Sequence, residues 1–394
     1  MLINEYMIDN FNISIYDSIN DVSSPIWDKT IAYENPALSY SFLWAVEQSF
    51  TSRMYRYFIV KSVHDTNIVG IFFGTKDRLD LLSNLPKILQ YCSLKIRFLF
   101  PKFGMVSISM LGSYETIGKH WWFASSISSE VSMNIIVKTI SYEFVESSIV
   151  IIRDIDKNCS DFSIYNNYFV SNGFNSFNNF PSALIFLEKA SWSEHLKKLK
   201  SNCRKSLAHT MRQFSLSNFT IQYYTNSNLS IEKLYPLMQE LYPLYLNTHF
   251  KAKELKRAVV PLSFFNNLIK TCNIILSVVT DSYGNKIAFI LSIVNERIIN
   301  PFFFGSNNII YNKINPYIVL HFDLLDKYST DKIEIIDLGI TNYQIKQTFG
   351  ANLINNTVYV KFLSNIINSC FGTIIARLFD VKQPIERKVL KKFS

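Results

Sequence analysis

Residues 273–363 carry an ordered run of local signals that few folds accommodate. Ile274–Thr280 and Lys286–Val294 are strand-like runs rich in β-branched residues. Asp281-Ser-Tyr-Gly-Asn285 between them supplies a tight turn around Gly284. A third strand-like run, 298–304, follows at once. The loop 305–314 then leads to Asn315-Pro316, an N-cap with proline at the first helical position, and predicts a helix to about Tyr328. Residues 332–338 read as a strand, 341–349 as a short helix closed by Gly350, and 357–363 as a last strand. Hairpin, strand, helix, strand, helix, strand is the order of an α/β fold, built on a mixed α+β sheet.

The upstream half has a comparable order without recognisable sequence repetition. Asn35-Pro36 opens a helix whose Phe42, Leu43, Val46 and Phe50 share one face. Strand-like runs at 56–63 and 67–74 flank a turn. A helical pattern covers 76–91 with a break at Pro86, and 103–111 reads as a strand. A helix over 125–144 and strands at 148–152 and 183–187 complete this half. A length of 394 residues exceeds what one core normally serves. The expected organisation is therefore a domain over 1–188, a second over 189–363, and a tail over 364–394 that is apolar first and basic at its end.

Composition removes several function classes. With 48% apolar and 18% charged residues, the chain is globular rather than disordered. No apolar run approaches the roughly 20 residues of a membrane-spanning helix, and the first ten residues lack the basic and apolar regions of a secretory signal. Five cysteines are scattered at 92, 159, 203, 272 and 370 with no Cys-x-x-Cys pair, and no His-x-x-x-His pair exists. Free thiols, a cytoplasmic protein, no metal site and no tightly bound cofactor are the expectations.

The net charge of +9 is concentrated. Residues 189–213 hold Lys189, Lys197, Lys198, Lys200, Arg204, Lys205 and Arg212 against Glu194 alone. Residues 380–394 hold Lys382, Arg387, Lys388, Lys391 and Lys392 against Asp380 and Glu386. Localised cations point to an anionic partner. The first cluster sits on a predicted helix, 191–214, with an apolar stripe at Leu196, Leu199, Cys203, Leu207 and Met211. Lys198, Lys205 and Arg212 recur every seven residues on another face. A second long helix, 230–250, should kink or break at Pro236 and Pro243.

Three segments resemble the paired-domain, Fem-like branch of the GNAT acyltransferase superfamily, which includes uncharacterised acetyltransferase-like relatives. They are Asn35-Pro-Ala-Leu-Ser-Tyr-Ser-Phe-Leu43, Ser201-Asn-Cys-Arg-Lys-Ser-Leu207, and the block from Ala288 through Asp337-Leu-Gly339 to Lys346-Gln-Thr-Phe-Gly350. The resemblance implies two tandem GNAT-like domains, the first degenerate. It also implies transfer of an acyl or aminoacyl group from an activated donor to an amine, forming an amide. The co-substrate would be acyl-CoA, an acyl carrier or aminoacyl-tRNA. The glycine-rich acyl-CoA fingerprint is missing, since 305–314 holds only Gly305, and the Fem coiled-coil insertion has no counterpart.

By that resemblance, backbone N–H groups of 301–305 would meet the oxyanion and the helix opening at Pro316 would face donor phosphates. Lys346 is the first catalytic candidate, either a cation for phosphate or oxyanion or an exposed lysine on a short helix. Asp337, at the end of a predicted strand, accepts a proton or orients the amine, or else caps the next helix. His321 is a base or a structural histidine. Lys198, Arg204, Lys205, Arg212, Gly305 and Asn315 are candidates for the donor, possible tRNA phosphates included. Tyr245, Thr248 and His249 beyond Pro243, with Trp121 and Trp122, are candidates for the acceptor, or bend and core residues respectively. Two further readings stay open: a non-catalytic nucleic-acid module using helix 191–214, and a membrane-surface protein anchored by 364–394. The acceptor's class and the oligomeric state are not legible.

Overall fold

The structure, a computed structural model, describes residues 2–64, 67–80, 87–187, 190–252, 254–255, 258–307, 314–330 and 332–391. Pro86, Lys189 and Lys392 lie outside them. The chain opens with a hairpin of β1 (Leu2–Ile8) and β2 (Phe11–Tyr16), then α1 (Ser24–Thr30) and α2 (Tyr40–Ser49). Next come β3 (Met54–Ser62), β4 (Ile68–Asp80), α3 (Lys87–Leu99), β5 (Met105–Leu111), β6 (Trp121–Phe123), α4 (Ser129–Glu143) and β7 (Ile149–Asp156). α5 (Phe162–Ser171), β8 (Asn175–Asn178), β9 (Ser182–Phe186), α6 (Trp192–Lys198), α7 (Ser201–Ser215) and β10 (Thr220–Thr225) follow. α8 (Ile231–Lys251), α9 (Leu262–Thr271), β11 (Ile274–Thr280), β12 (Lys286–Val294), β13 (Ile298–Ser306) and α10 (Pro316–Tyr328) lead to β14 (Ile335–Asp337). The chain closes with α11 (Tyr343–Thr348), β15 (Asn352–Ile354), β16 (Asn356–Phe362) and α12 (Asn365–Phe379).

These elements form two compact units, and neither is a continuous half. Unit 1 takes 1–32, 50–179 and 356–382; unit 2 takes 33–49, 180–355 and 383–394. The expected division at 188/189 and 363/364 is therefore replaced by an exchange of strands. β9, the closing strand expected of the first half, pairs with β14 and β15 in unit 2. β16, the closing strand expected of the second half, lies between β7 and β8 in unit 1. A period-2 apolar run fixes which face of a strand is buried, not which sheet receives it.

The unit 1 sheet runs β1-β2-β3-β4-β5-β7-β16-β8, with β6 on β4. β5 and β7 are parallel, joined through α4. Its core includes Phe58, Phe72, Phe144, Phe169 and Tyr359. The hairpin β1–β2 had no counterpart among the sequence expectations. The helix expected over 76–91 is displaced: β4 continues to Asp80 and the helix begins at Lys87. The start of the tail, α12, docks on β8 and β16. Asn368 helps by accepting from Phe362 N and donating to Gly173 O.

The unit 2 sheet runs β10-β11-β12-β13-β14-β9-β15. β10 through β13 are antiparallel, and the Gly284 turn (φ +83°) joins β11 to β12 as its sequence required. β13 and β14 are parallel, as a connection through α10 demands. Two helical expectations change here. Residues 191–214 form two helices, because Leu199 and Lys200 are extended (ψ 151° at each). The gap is filled by the C-terminal segment: Lys200 N donates to Val389 O and Lys391 N to Lys198 O. The apolar stripe survives the break, since Leu199, Cys203 and Leu207 are all buried. The seven-residue charge stripe does not, because Lys198 lies on α6 and Lys205 and Arg212 lie on α7. Conversely, α8 runs unbroken through Pro236 and Pro243.

Candidate active site

The site begins where two parallel strands part. β13 pairs with β14 only at Ile298↔Ile335 and Ile299↔Ile336. β14 ends at Asp337 and turns its other edge to β9, while β13 continues along β12 to Ser306. Among the described residues no strand covers that edge of β13 from Asn300 onward. The register slips by one between Leu291↔Phe303 and Ser292↔Pro301, leaving Phe302 as a bulge just beyond the divergence. A bulge re-aims main-chain groups. Pro301 has no N–H, so it offers no main-chain donor where the strands part. Phe304 meets Tyr317 edge-on at 5.1 Å between centroids, which sets the first turn of α10 beside this part of β13. Asn315 caps that helix through Ile318 N.

Four polar side chains gather at the fork. Asn300 Nδ2 reaches across to Asp337 Oδ2 at 3.4 Å, and Asp337 Oδ1 accepts from Gly339 N at 2.8 Å. Asp337 thus closes its own turn rather than capping α11, whose first residue is preceded by Asn342 with no side-chain cap. Burial raises the Asp337 carboxyl above the ordinary carboxylate range; the Gly339 N–H and the charge of Lys346 oppose that rise. Lys346 is 3% exposed, which removes the exposed-lysine reading. Its Nζ donates to Ile340 O at 2.5 Å. Burial pushes the ammonium down to about 7, against the pull of Asp337 and Glu254. His321 is buried too, with Nδ1 donating to Tyr317 O at 2.7 Å, so Nε2 keeps its lone pair. Burial, opposed by the Tyr317 hydrogen bond and joined by the charge of nearby Lys346, holds this imidazole at about 3. His321 is therefore neutral wherever the protein is folded near neutrality.

The loop joining Asp337 to α11 is conformationally strained. Gly339, Thr341 and Asn342 all have positive φ (70°, 65° and 51°). Glycine and asparagine tolerate this region, but a β-branched threonine does so only when its surroundings force it. Contacts that hold the loop include Lys346 on Ile340 O, Glu254 Oε2 accepting from Asn342 N at 2.9 Å, and Gly339 O accepting from Ala183 N. Asn300 and Glu254 were not singled out from sequence. Asn300 carried a signal, a polar residue inside an apolar strand, whereas Glu254, in the α8–α9 connector, had none.

The other candidates are placed as follows. Gly305 packs under α8: a Cβ there would lie 2.6 Å from Tyr245 N and 2.4 Å from the Phe289 ring. Thr248 Oγ1 accepts from Ser306 N and Asn247 Nδ2 donates to Ser306 O, clipping α8 to the end of β13. Tyr245 sits among Tyr242, Phe265 and Phe303, its hydroxyl accepting from Val260 N and lying 3.4 Å from His249 Nδ1. Arg204 donates to Lys197 O, and Lys205 and Arg212 are exposed along α7. Trp121 and Trp122 belong to unit 1, on β6, with Trp121 buried edge-on to Tyr165. Among the described residues no group of side chains has the makings of a metal site.

No protein-family model and no curated protein matches the sequence. Solved structures do match the fold. FemX aligns over 84% of this chain and 93% of its own, at 10% identity and a TM-score of 0.56. A conserved protein of unknown function from Bacteroides thetaiotaomicron aligns over 86% and 98%, at 9% identity and 0.51. A tandem GNAT protein from the clavulanic acid biosynthesis pathway aligns over 89% and 98%, at 6% identity and 0.50. At such identities the likeness speaks for architecture, and each unit does contain one parallel strand pair, β5/β7 and β13/β14. The chain has the Fem-like fold, two GNAT-like units within one polypeptide.

Proposed function

We propose that the chain is an N-acyltransferase whose unit 2 moves an acyl or aminoacyl group onto an amine. The observation that carries this reading is the fork between β13 and β14, with a buried lysine, a carboxyl of raised affinity for protons and an amide side chain at its mouth. The donor's carbonyl would lie along the free edge of β13. The amine nitrogen attacks the carbonyl carbon, the C–N bond forms, and the electron pair moves to oxygen. Main-chain N–H groups on the free edge of β13 short of Ser306, whose N–H Thr248 already holds, and the Lys346 ammonium stabilise that oxyanion. Asn300 and Asp337 orient the amine, and Asp337 takes the proton the nitrogen must lose. Collapse expels the donor's thiol or hydroxyl oxygen, which leaves with that proton.

Exposed Lys205 and Arg212 on α7 support a polyanionic donor, and aminoacyl-tRNA is the reading we favour over acyl-CoA. The test incubates the full chain with labelled aminoacyl-tRNA or acetyl-CoA and an amine pool. Transfer is expected, falling roughly 100-fold or more in Lys346→Ala by analogy with loss of an oxyanion donor. No transfer from either donor, or full transfer in Lys346→Ala, rejects the assignment.

A further inference from the structure

Between Asp80 and Glu115 the sequence has no acidic residue, yet it holds Lys87, Lys95, Arg97 and Lys102. The same stretch leaves a run of large apolar side chains uncovered. Phe98 is 89% exposed, Leu99 72% and Phe100 66%, and Tyr91, Leu94 and Phe103 are exposed as well. Tyr91, Leu94 and Phe98 fall at steps of three and four on α3, forming one stripe, with Lys95 beside it and its Nζ 4.9 Å from the Tyr91 ring centre. Large apolar side chains exposed so densely along one short stretch mark an interaction site.

The patch is held in place by structure of its own. Arg97 is the cation spent on the fold: it pairs with Asp80 at 2.5 Å and its Nε donates to Phe103 O at 2.8 Å. Phe103 N also donates to Phe100 O, and Met105 N to Lys102 O. These bonds tie the end of α3 and the loop after it to the start of β5, presenting the aromatic rings outward together. Lys95 and Lys102 remain exposed among them.

We propose that residues 91–105 form a docking surface for a bilayer containing anionic phospholipid. Apolar rings interleaved with lysines, with the one paired acid, Asp80, neutralised by Arg97, complement a surface that is greasy beneath and negative above. A helix of 13 residues is too short to cross, so it would lie in the headgroup plane. A second copy is the poorer occupant, because a two-fold contact would set the same lysines against each other. The surface is independent of the fork in unit 2 and of the reaction assigned to it.

Sedimentation of the full chain with vesicles tests this directly. The chain is expected to pellet with phosphatidylcholine vesicles containing roughly one-third phosphatidylglycerol, weakly with phosphatidylcholine alone, and less as salt rises. Phe98→Glu with Leu99→Glu, and separately Lys95→Glu with Lys102→Glu, should each cut binding about tenfold or more, given two apolar or two ionic contacts removed. Ile366→Glu on α12 should leave it unchanged. The proposal fails if the wild type stays in solution or if both double variants pellet like it. It also fails if only Ile366→Glu lowers binding, or if light scattering shows a dimer that the Phe98/Leu99 variant dissociates while no vesicle binds.

Discussion

Lys346 illustrates how a residue's position and its state are separate pieces of information. Its place eight residues beyond Leu338 is readable in the sequence; its burial is not, because the groups near it include Glu254 and His321 from distant parts of the chain. An ammonium whose proton leaves near 7, rather than about 10.4 as in an unfolded chain, makes folding oppose protonation. Between those values the unfolded chain binds the extra proton, so the Lys346 contribution to stability improves as pH climbs from about 7 to about 10 and is least favourable below 7. The difference in melting temperature between wild type and Lys346→Met should accordingly shift in the wild type's favour over that range. Carbon-13 NMR of the lysine side chains should show one resonance titrating near neutrality, absent in Lys346→Met; titration of every lysine near 10 would contradict it. The strained loop makes a separate claim. Thr341→Gly should relieve a φ of +65° without loss of fold, with a gain of up to about 1 kcal/mol in urea unfolding.

Elements were legible where a local device announces them. Asn315-Pro316, the Gly284 turn and Gly350 (φ +91°) each fix a boundary by stereochemistry that neighbouring residues cannot override. The break between α6 and α7 escaped notice because its stripe of Leu199, Cys203 and Leu207 keeps helical spacing while the backbone leaves the helix. Only the incoming segment at Val389–Lys391 reveals why: it bonds to Lys198 and Lys200 in the gap. The unbroken α8 is the opposite case, a helix that tertiary contacts sustain through two prolines. One such contact is its close approach to β13 at Gly305. Gly305→Ala must push the added methyl against Tyr245 N, and should cost about 1–3 kcal/mol in urea unfolding. Thr248→Val removes the acceptor for Ser306 N at the same junction and should cost about 1–3 kcal/mol.

At the scale of the molecule the α/β class and the presence of two units followed from length and element order; the assignment of segments to units did not. Each sheet takes a strand that a linear cut would give to the other. A chain restricted to 189–363 lacks β9 and leaves β14 and β15 without the partner between them, while 1–188 leaves a gap between β7 and β8. Neither fragment should show a cooperative thermal transition by circular dichroism, though the full chain should; a sharp transition in either would mean that β9 or β16 is dispensable. Because β16 sits inside the first sheet rather than at its edge, synthesis imposes an order of events. The amino-terminal unit must wait, incomplete, while the whole of 180–355 emerges from the ribosome, so the part made first is among the last to close.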